Sequence, residues 1–165
     1  MKNLSLISVT NIIVRRKYRP NSDEATELSK VSENGIQFRI DVTGGQKTGF
    51  FLDQRRNRAL VGDYAADKNV LNLFSYTGGF SLYALREKAK SVVSVDVSKY
   101  AIAELEENIK LNKLEVKDHS ALAMDVKEYL KEVKKDHFDL IIVDPPAFAK
   151  SIKKRHNAVQ AYKRL

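Results

Sequence analysis

From residue 70 onward the chain alternates short apolar runs with stretches of helical periodicity, and few folds can accommodate that rhythm. Val70–Phe74 (VLNLF) reads as a strand and Phe80–Lys88 as a helix. Ser91–Val97 (SVVSVDV) is a second, β-branched strand. Ser98 then caps a helix over Lys99–Asn112, whose Ile102, Leu105 and Ile109 fall on one face. A weaker strand is predicted around Ser120–Met124, and Asp125 caps a helix over Val126–Lys135. Asp139–Val143 (DLIIV) shows almost no polar alternation, which predicts a central parallel strand covered on both faces. Strands joined through helices run parallel, with right-handed crossovers. The expected fold is α/β and Rossmann-like, with a parallel sheet of about four strand–helix units.

The first part of the chain is patterned differently. Residues 1–34 are weakly patterned, and Pro20–Glu27 (PNSDEATE) reads as a loop. Gly35–Val42 alternates Ile36, Phe38, Ile40 and Val42 with polar residues, as a half-buried strand does. The turn Thr43-Gly44-Gly45 leads into Lys47–Leu52, which predicts a small β-hairpin ahead of the sheet. Asp53 is placed as the cap of a helix running through Tyr64, with Leu60 and Val61 on its apolar side. The expected division is a β-rich lead-in over 1–52 and an α/β domain over 53–165, ending in a basic helix from Lys153 to Leu165.

Composition removes several function classes. At 165 residues, with 43% hydrophobic and 30% charged side chains, the chain can build one folded core. It contains no cysteine, so neither a disulfide scaffold nor a thiolate metal site nor a cysteine nucleophile can come from these residues. Its three histidines, His119, His137 and His156, are scattered, which argues against zinc. No apolar run is long enough to span a membrane. The stretch Leu4–Val14 is too interrupted for a signal sequence, and a cytoplasmic location is expected. The net charge of +8 is uneven: +5 over residues 1–60, −3 over 61–149 and +6 over 150–165. Basic margins around a near-neutral centre suit a polyanionic partner, and they also suit a merely lysine-rich surface.

In an open α/β sheet the ligand crevice lies beyond the carboxyl ends of the strands. Each predicted strand end carries a residue of interest. Phe74-Ser75-Tyr76-Thr77-Gly78-Gly79 follows the first, where glycines would let a ligand approach the backbone and a helix N-terminus would face an anion. This is not G-x-G-x-x-G, which counts against a dinucleotide oxidoreductase. Asp96 closes the second strand, 17 residues beyond Gly79, where a carboxylate can accept both hydroxyls of a ribose. Asp125 follows the third and reads equally as a helix cap or as an acceptor for an adenine amino group. Asp144-Pro145-Pro146-Ala147-Phe148 follows the fourth, and its prolines stiffen the backbone around the carboxylate.

Four ordered segments, Thr48–Arg55, Asn72–Phe80, Ser94–Ser98 and Asp144–Lys150, together resemble class I S-adenosylmethionine (SAM)-dependent RNA methyltransferases. The wording is most similar to the bacterial 23S rRNA (cytosine-5)-methyltransferases, over about residues 35–165. The resemblance implies SAM as cofactor and ribosomal RNA as partner. It also implies Asp96, Val97 and Ser98 at the ribose, Asp125 and Val126 beside the adenine, and Phe74 with Ser75–Gly79 against the methionine part. Gln54 and Arg55 would be further cofactor contacts; Arg55, Arg56 and Arg58 also read as a solvated helix face, and Arg56 as nothing more. Asp144, Pro145 and Pro146 would frame the target base, Asp144 also bordering the cofactor, with Phe148 as a stacking surface. Phosphate contacts would come from Arg15–Arg19 and Lys150–Arg164, making RNA affinity fall with salt.

The chain departs from the family pattern in one chemical respect. Carbon 5 of cytosine is a poor nucleophile until a thiolate adds to carbon 6, and no thiol is present here. A related branch methylates nitrogen 7 of guanine, which needs alignment but no covalent step. A non-catalytic SAM- or RNA-binding fragment is a third reading, and an NAD-dependent oxidoreductase is disfavoured by the missing glycine fingerprint. The chain is further expected to be a shortened product, with Leu140–Val143 left at a sheet edge open to pairing with another chain or to dimerisation.

Overall fold

The computed structural model describes residues 29–41, 50–114, 118–134, 137–146 and 160. It begins with a two-stranded antiparallel hairpin, β1 (Ser29–Glu33) and β2 (Ile36–Ile40). A short 3-10 turn (Leu52–Gln54) leads into α1 (Arg55–Ala65). There follow β3 (Asn69–Leu73), α2 (Gly79–Arg86), β4 (Ser91–Asp96), α3 (Lys99–Leu111), β5 (His119–Ala123), α4 (Val126–Glu132) and β6 (Leu140–Val143). The basic helix expected from Lys153 lies outside the described residues, apart from Gln160.

A hairpin precedes the sheet as expected; among the described residues the strand paired with β2 is β1, and the expected partner over Lys47–Leu52 lies partly outside them. β2 buries Ile36, Phe38 and Ile40 as its alternation requires. The reversal is made by Asn34 and Gly35, with φ of +49° and +81°. A two-residue hairpin turn needs left-handed backbone at both central positions, and Asn-Gly supplies it at the lowest cost. Residues 42–49, including Thr43-Gly44-Gly45, lie outside the described part; Leu52, expected in a strand, opens the 3-10 turn instead.

The sheet is parallel throughout, in the order β5-β4-β3-β6. The chain steps outward from β3 to β4 to β5 and then crosses back to lay β6 against the other side of β3. Strand order therefore reverses between β3 and β6. One sheet face buries Val70, Val92 and Ile142 with Ala65 and Ala84 of α1 and α2. The other buries Leu71, Leu73 and Val95 with Val126 of α4. β6 departs from the expected two-sided burial: Ile142 is buried, while Ile141 and Val143 are 54% and 50% exposed. An unbroken apolar run reports what a strand is able to bury, not what is laid over it, and β6 is the edge of the described sheet.

α1 also differs from expectation. It starts at Arg55, no side chain caps it, and Leu60 is exposed. Its inward face is Arg58, Gly62 and Ala65. Arg58 is buried because Glu33 at the end of β1 receives it: Nε donates to Oε1 at 2.8 Å and Nη2 to Oε2 at 2.7 Å. Arg58 Nη1 donates to the Phe51 carbonyl at 2.9 Å, and the guanidinium lies 4.4 Å from the Phe50 ring centroid. The Tyr83 hydroxyl adds a third donor to Glu33 at 3.0 Å. Burial, with the Glu33 carboxylate beside it, pushes the Tyr83 phenol above its ordinary pKa.

The hairpin is held on α3 by a polar stripe at four-residue spacing. Asn112 accepts from Gln37 N at 2.8 Å and donates to Gln37 O. Asn108 accepts from Arg39 N at 2.7 Å, Glu104 faces the Arg39 guanidinium, and Tyr100 reaches Asp41. Four helical residues rise about 6 Å and two strand residues about 6.6 Å, so side chains at every fourth helix position can satisfy the open edge of β2. Among the described residues no helix is long and apolar enough to cross a membrane.

Replacing one member of a buried ion pair leaves the other charge uncompensated, at a cost of about 3–5 kcal/mol. Glu33→Gln is therefore expected to lower unfolding free energy by roughly that amount, measured as a shift in urea midpoint at unchanged slope.

Candidate cofactor and base-binding site

All four parallel strands end at one rim, and the reversal between β3 and β6 opens a crevice there. Leu73 and Val143 are register partners, so Phe74 and Asp144 leave the sheet side by side. The loop after β3 is tightly wound. Phe74 and Tyr76 are left-handed, at φ +57° and +49°, and Gly78 is at +84°. Left-handed backbone is costly for aromatic residues and tends to persist where the surroundings enforce it, as at binding sites. Here Ser75 N donates to Val95 O at 3.0 Å, and Gly78 N donates back to Ser75 O at 2.9 Å.

Asp96 is the acceptor that shapes this rim. Its Oδ2 takes the Tyr76 N–H at 2.9 Å and its Oδ1 the Ser98 N–H at 2.8 Å. A carboxylate has about four acceptor sites, so each oxygen keeps capacity for a hydroxyl. Ser98 caps α3 as expected, accepting from Ala101 N at 3.2 Å. Val97, between them, is an apolar side chain left 71% exposed. Phe51 meets Tyr76 edge-on at 5.7 Å, which brings the segment before α1 to the same loop.

The two glycines also answer to the protein itself. A Cβ at Gly78 would lie 2.5 Å from Leu105 Cγ, and one at Gly79 would lie 3.0 Å from Arg58 Cδ. They make room for side chains from α3 and α1. Inside the loop Ser75 is 4% exposed and its hydroxyl has no hydrogen-bond partner among the described residues.

The other expected residues divide. Asp125 caps α4, with Oδ1 accepting from Lys127 N at 2.8 Å and Glu128 N at 3.3 Å. Val126 sends its side chain into the core with Leu71, Leu73 and Val95. Gln54 accepts from Asn57, and Arg55 Nη2 donates to Asn34 Oδ1 at 2.8 Å, so its guanidinium is tied to the hairpin turn. Arg58, read as solvated, is instead 3% exposed and structural. Asp144, Pro145 and Pro146 follow β6 at the rim, while Phe148 lies outside the described residues. Among the described residues no group of three or more His, Cys, Asp or Glu side chains could hold a metal.

Sequence reasoning missed a buried polar relay below the rim. Asn72 Nδ2 donates to Ser81 Oγ at 2.8 Å, Ser81 Oγ meets Ser94 Oγ at 2.7 Å, and Ser94 Oγ meets His119 Nε2 at 3.0 Å. The signal was there, as polar Asn72 and Ser94 interrupt two otherwise apolar strands. The relay binds α2 to three strands, and burial pulls the His119 pKa down to about 4.

An S-adenosylmethionine-dependent methyltransferase family profile matches residues 7–165. The chain is 42% identical over 145 residues to the ribosomal RNA large subunit methyltransferase I of Aeromonas salmonicida, covering 87% of this chain and 37% of that protein. It is 46% identical over 132 residues to the protein of the same name from Tolumonas auensis, covering 79% and 33%. Among solved structures, SMU.776 in complex with SAH superposes with a TM-score of 0.70 at 36% identity, covering 88% of this chain and 40% of that one. The fold is thus that of α/β methyltransferases with a Rossmann-like parallel sheet. The chain belongs to the SAM-dependent methyltransferase family, whose cofactor is S-adenosylmethionine, and it spans little more than a third of the length of the curated relatives it matches.

A histidine held neutral in the fold contributes stability that is complete above its unfolded pKa, near 6.5, and lost as pH falls toward its folded value. Urea midpoints should therefore drop between about pH 6.5 and pH 4, where the depressed His119 pKa lies. His119→Gln should flatten that part of the profile.

Proposed function

We propose that this chain carries the SAM-binding and base-presenting part of a methyltransferase acting on a base of large-subunit ribosomal RNA. The observation that carries the reading is the rim itself: a carboxylate fixed by two backbone amides, beside a strained loop, at the point where strand order reverses. The names of the relatives support ribosomal RNA as the substrate.

In this reading the free acceptor sites of Asp96 take the ribose hydroxyls, and exposed Val97 gives an apolar surface to the adenine. Asp125 receives the adenine amino group, since both of its cap bonds fall on Oδ1. Val126 contributes only backbone beside it. Phe74 and the Ser75–Gly79 turn lie against the methionine part, where the unpartnered Ser75 hydroxyl and the first N–H groups of α2 face a carboxylate. Gln54 and Arg55 reach the same end, Arg55 retaining donors beyond the one given to Asn34. Asp144, Pro145, Pro146 and Phe148 hold the base flat against the methyl donor, which supplies an electrophilic methyl group when bound. The protein's task is alignment and exclusion of water.

Cytosine carbon 5 is the target the family wording favours. That chemistry needs a thiolate, which would have to come from outside these 165 residues, as they contain no cysteine. A second reading is guanine nitrogen 7, whose lone pair accepts a methyl group without a covalent intermediate. Binding of cofactor and RNA without transfer is the outcome for a chain that supplies neither. Pairing of β6 with a further strand, from a second copy or a partner, belongs to this reading too.

Titration calorimetry with S-adenosylhomocysteine should show saturable binding. Asp96→Asn should weaken it at least tenfold, since a charge-assisted hydrogen bond contributes about 1.5–3 kcal/mol. Unchanged affinity in that variant would remove Asp96 from the ribose. Nucleoside mass spectrometry of large-subunit RNA from cells lacking the gene should show loss of one methylated base, and which one separates the two targets.

A further inference from the structure

The stripe that docks α3 on β2 has four members, Tyr100, Glu104, Asn108 and Asn112, and they do not all serve one purpose. Asn112, at the far end of α3, satisfies main-chain groups of Gln37, while Asn108 bridges the two ends, accepting from Arg39 N and donating to the Thr77 carbonyl of the rim loop at 3.2 Å. Tyr100 is in the first turn, two residues beyond Ser98, whose N–H is held by Asp96. Its hydroxyl donates to Asp41 Oδ2 at 3.0 Å, although its ring remains 50% exposed. Burial of the hydroxyl, followed by the nearby carboxylates of Asp41 and Glu104, pushes its pKa up to about 12. The phenol therefore stays protonated and donating. Tyr76, whose N–H is the other bond to Asp96, is close enough to contribute to the same shift.

The first turn of α3 is thus fastened from two sides, by Asp96 on the sheet and by Asp41 on the hairpin. We propose that Tyr100 is a positioning residue for the cofactor site: anchored on Asp41, it sets the backbone from Asp96 to Ser98 in the form that receives the ribose. The inference rests on the reading of Asp96 given above, and it gives the hairpin a role in cofactor affinity that it would not have as a mere cover for the core.

The test is calorimetry with S-adenosylhomocysteine on the full chain and three variants, each with its melting temperature. Tyr100→Phe removes one hydroxyl, and Asp41→Ala removes its acceptor. Asn112→Ala loosens the same hairpin at the far end of the stripe. Tyr100→Phe and Asp41→Ala should each raise the dissociation constant about three- to tenfold, the range of one net hydrogen bond. Asn112→Ala should lower the melting temperature while leaving the dissociation constant within about twofold of wild type. Wild-type affinity in Tyr100→Phe, or an equal loss in Asn112→Ala, would overturn the proposal while leaving the site reading intact. Should Tyr100→Phe fold poorly, Asp41→Ala decides on the same criterion. Folded wild-type protein that does not bind the probe would overturn the site reading and this inference with it.

Discussion

One guanidinium and one carboxylate, both withdrawn from water, hold the front of this molecule together. Burying such a pair costs several kcal/mol per ion and is tolerated only when the remaining donors and acceptors are satisfied. Glu33 meets that condition by accepting from Arg58 twice and from Tyr83 once, and Arg58 by giving its third nitrogen to the Phe51 carbonyl. Three elements that share no sheet, the hairpin, α1 and α2, are thereby forced into one arrangement. A hydrophobic contact of equal area could slide; a forked pair with two further hydrogen-bond partners has one geometry. This register carries Phe51 to Tyr76, and with it the segment before α1 to the rim.

The rim loop is shaped from both sides by neighbours that leave it no slack. Leu105 and Arg58 occupy the places where side chains at positions 78 and 79 would stand, which fixes glycine there whether or not a ligand is bound. Asp96 collects the amide of Tyr76, and the relay from Asn72 to His119 pins α2 to the sheet beneath. A loop with left-handed residues at 74 and 76 would relax if those constraints were absent. The strain is stored when the protein folds, so a ligand need not supply the ordering cost on binding.

What could be read from the sequence follows from how far each signal acts. The strands and helices from Val70 to Val143 appear close to where their periodicity places them, because β3, β4 and the Ile102–Leu105–Ile109 face bury what the pattern offers. Ser98 and Asp125 cap as expected, since a cap is decided within three residues. The failures involve partners distant in sequence. Arg58 reads as solvated because Glu33, which buries it, is 25 residues away. Asp41 and Tyr100 are 59 apart. The Asn34-Gly35 turn is hard to see in the sequence because residues 29–33 lack the alternation that marks a strand with one apolar face. The rim was legible as a set of strand ends; that its glycines answer to Leu105 and Arg58 was not.

The topology divides labour along the rim in a way that separates holding a cofactor from using it. Cofactor contacts would come from the ends of β3, β4 and β5, which are linked by adjacent crossovers and braced from below by the relay and from the front by the ion pair. The base would be met by the end of β6, reached only after the chain has crossed back over the sheet, on a strand with one partner among the described residues and with Ile141 and Val143 still half exposed. The first group is supported on every side by described elements, whereas the second stands on an edge. In the proposed reading, affinity for the adenosyl group would be a property of the ends of β3, β4 and β5 and the elements that brace them. Transfer to a base depends on how rigidly Asp144-Pro145-Pro146 is held beside Phe74, and two prolines stiffen the segment against the freedom of an edge strand.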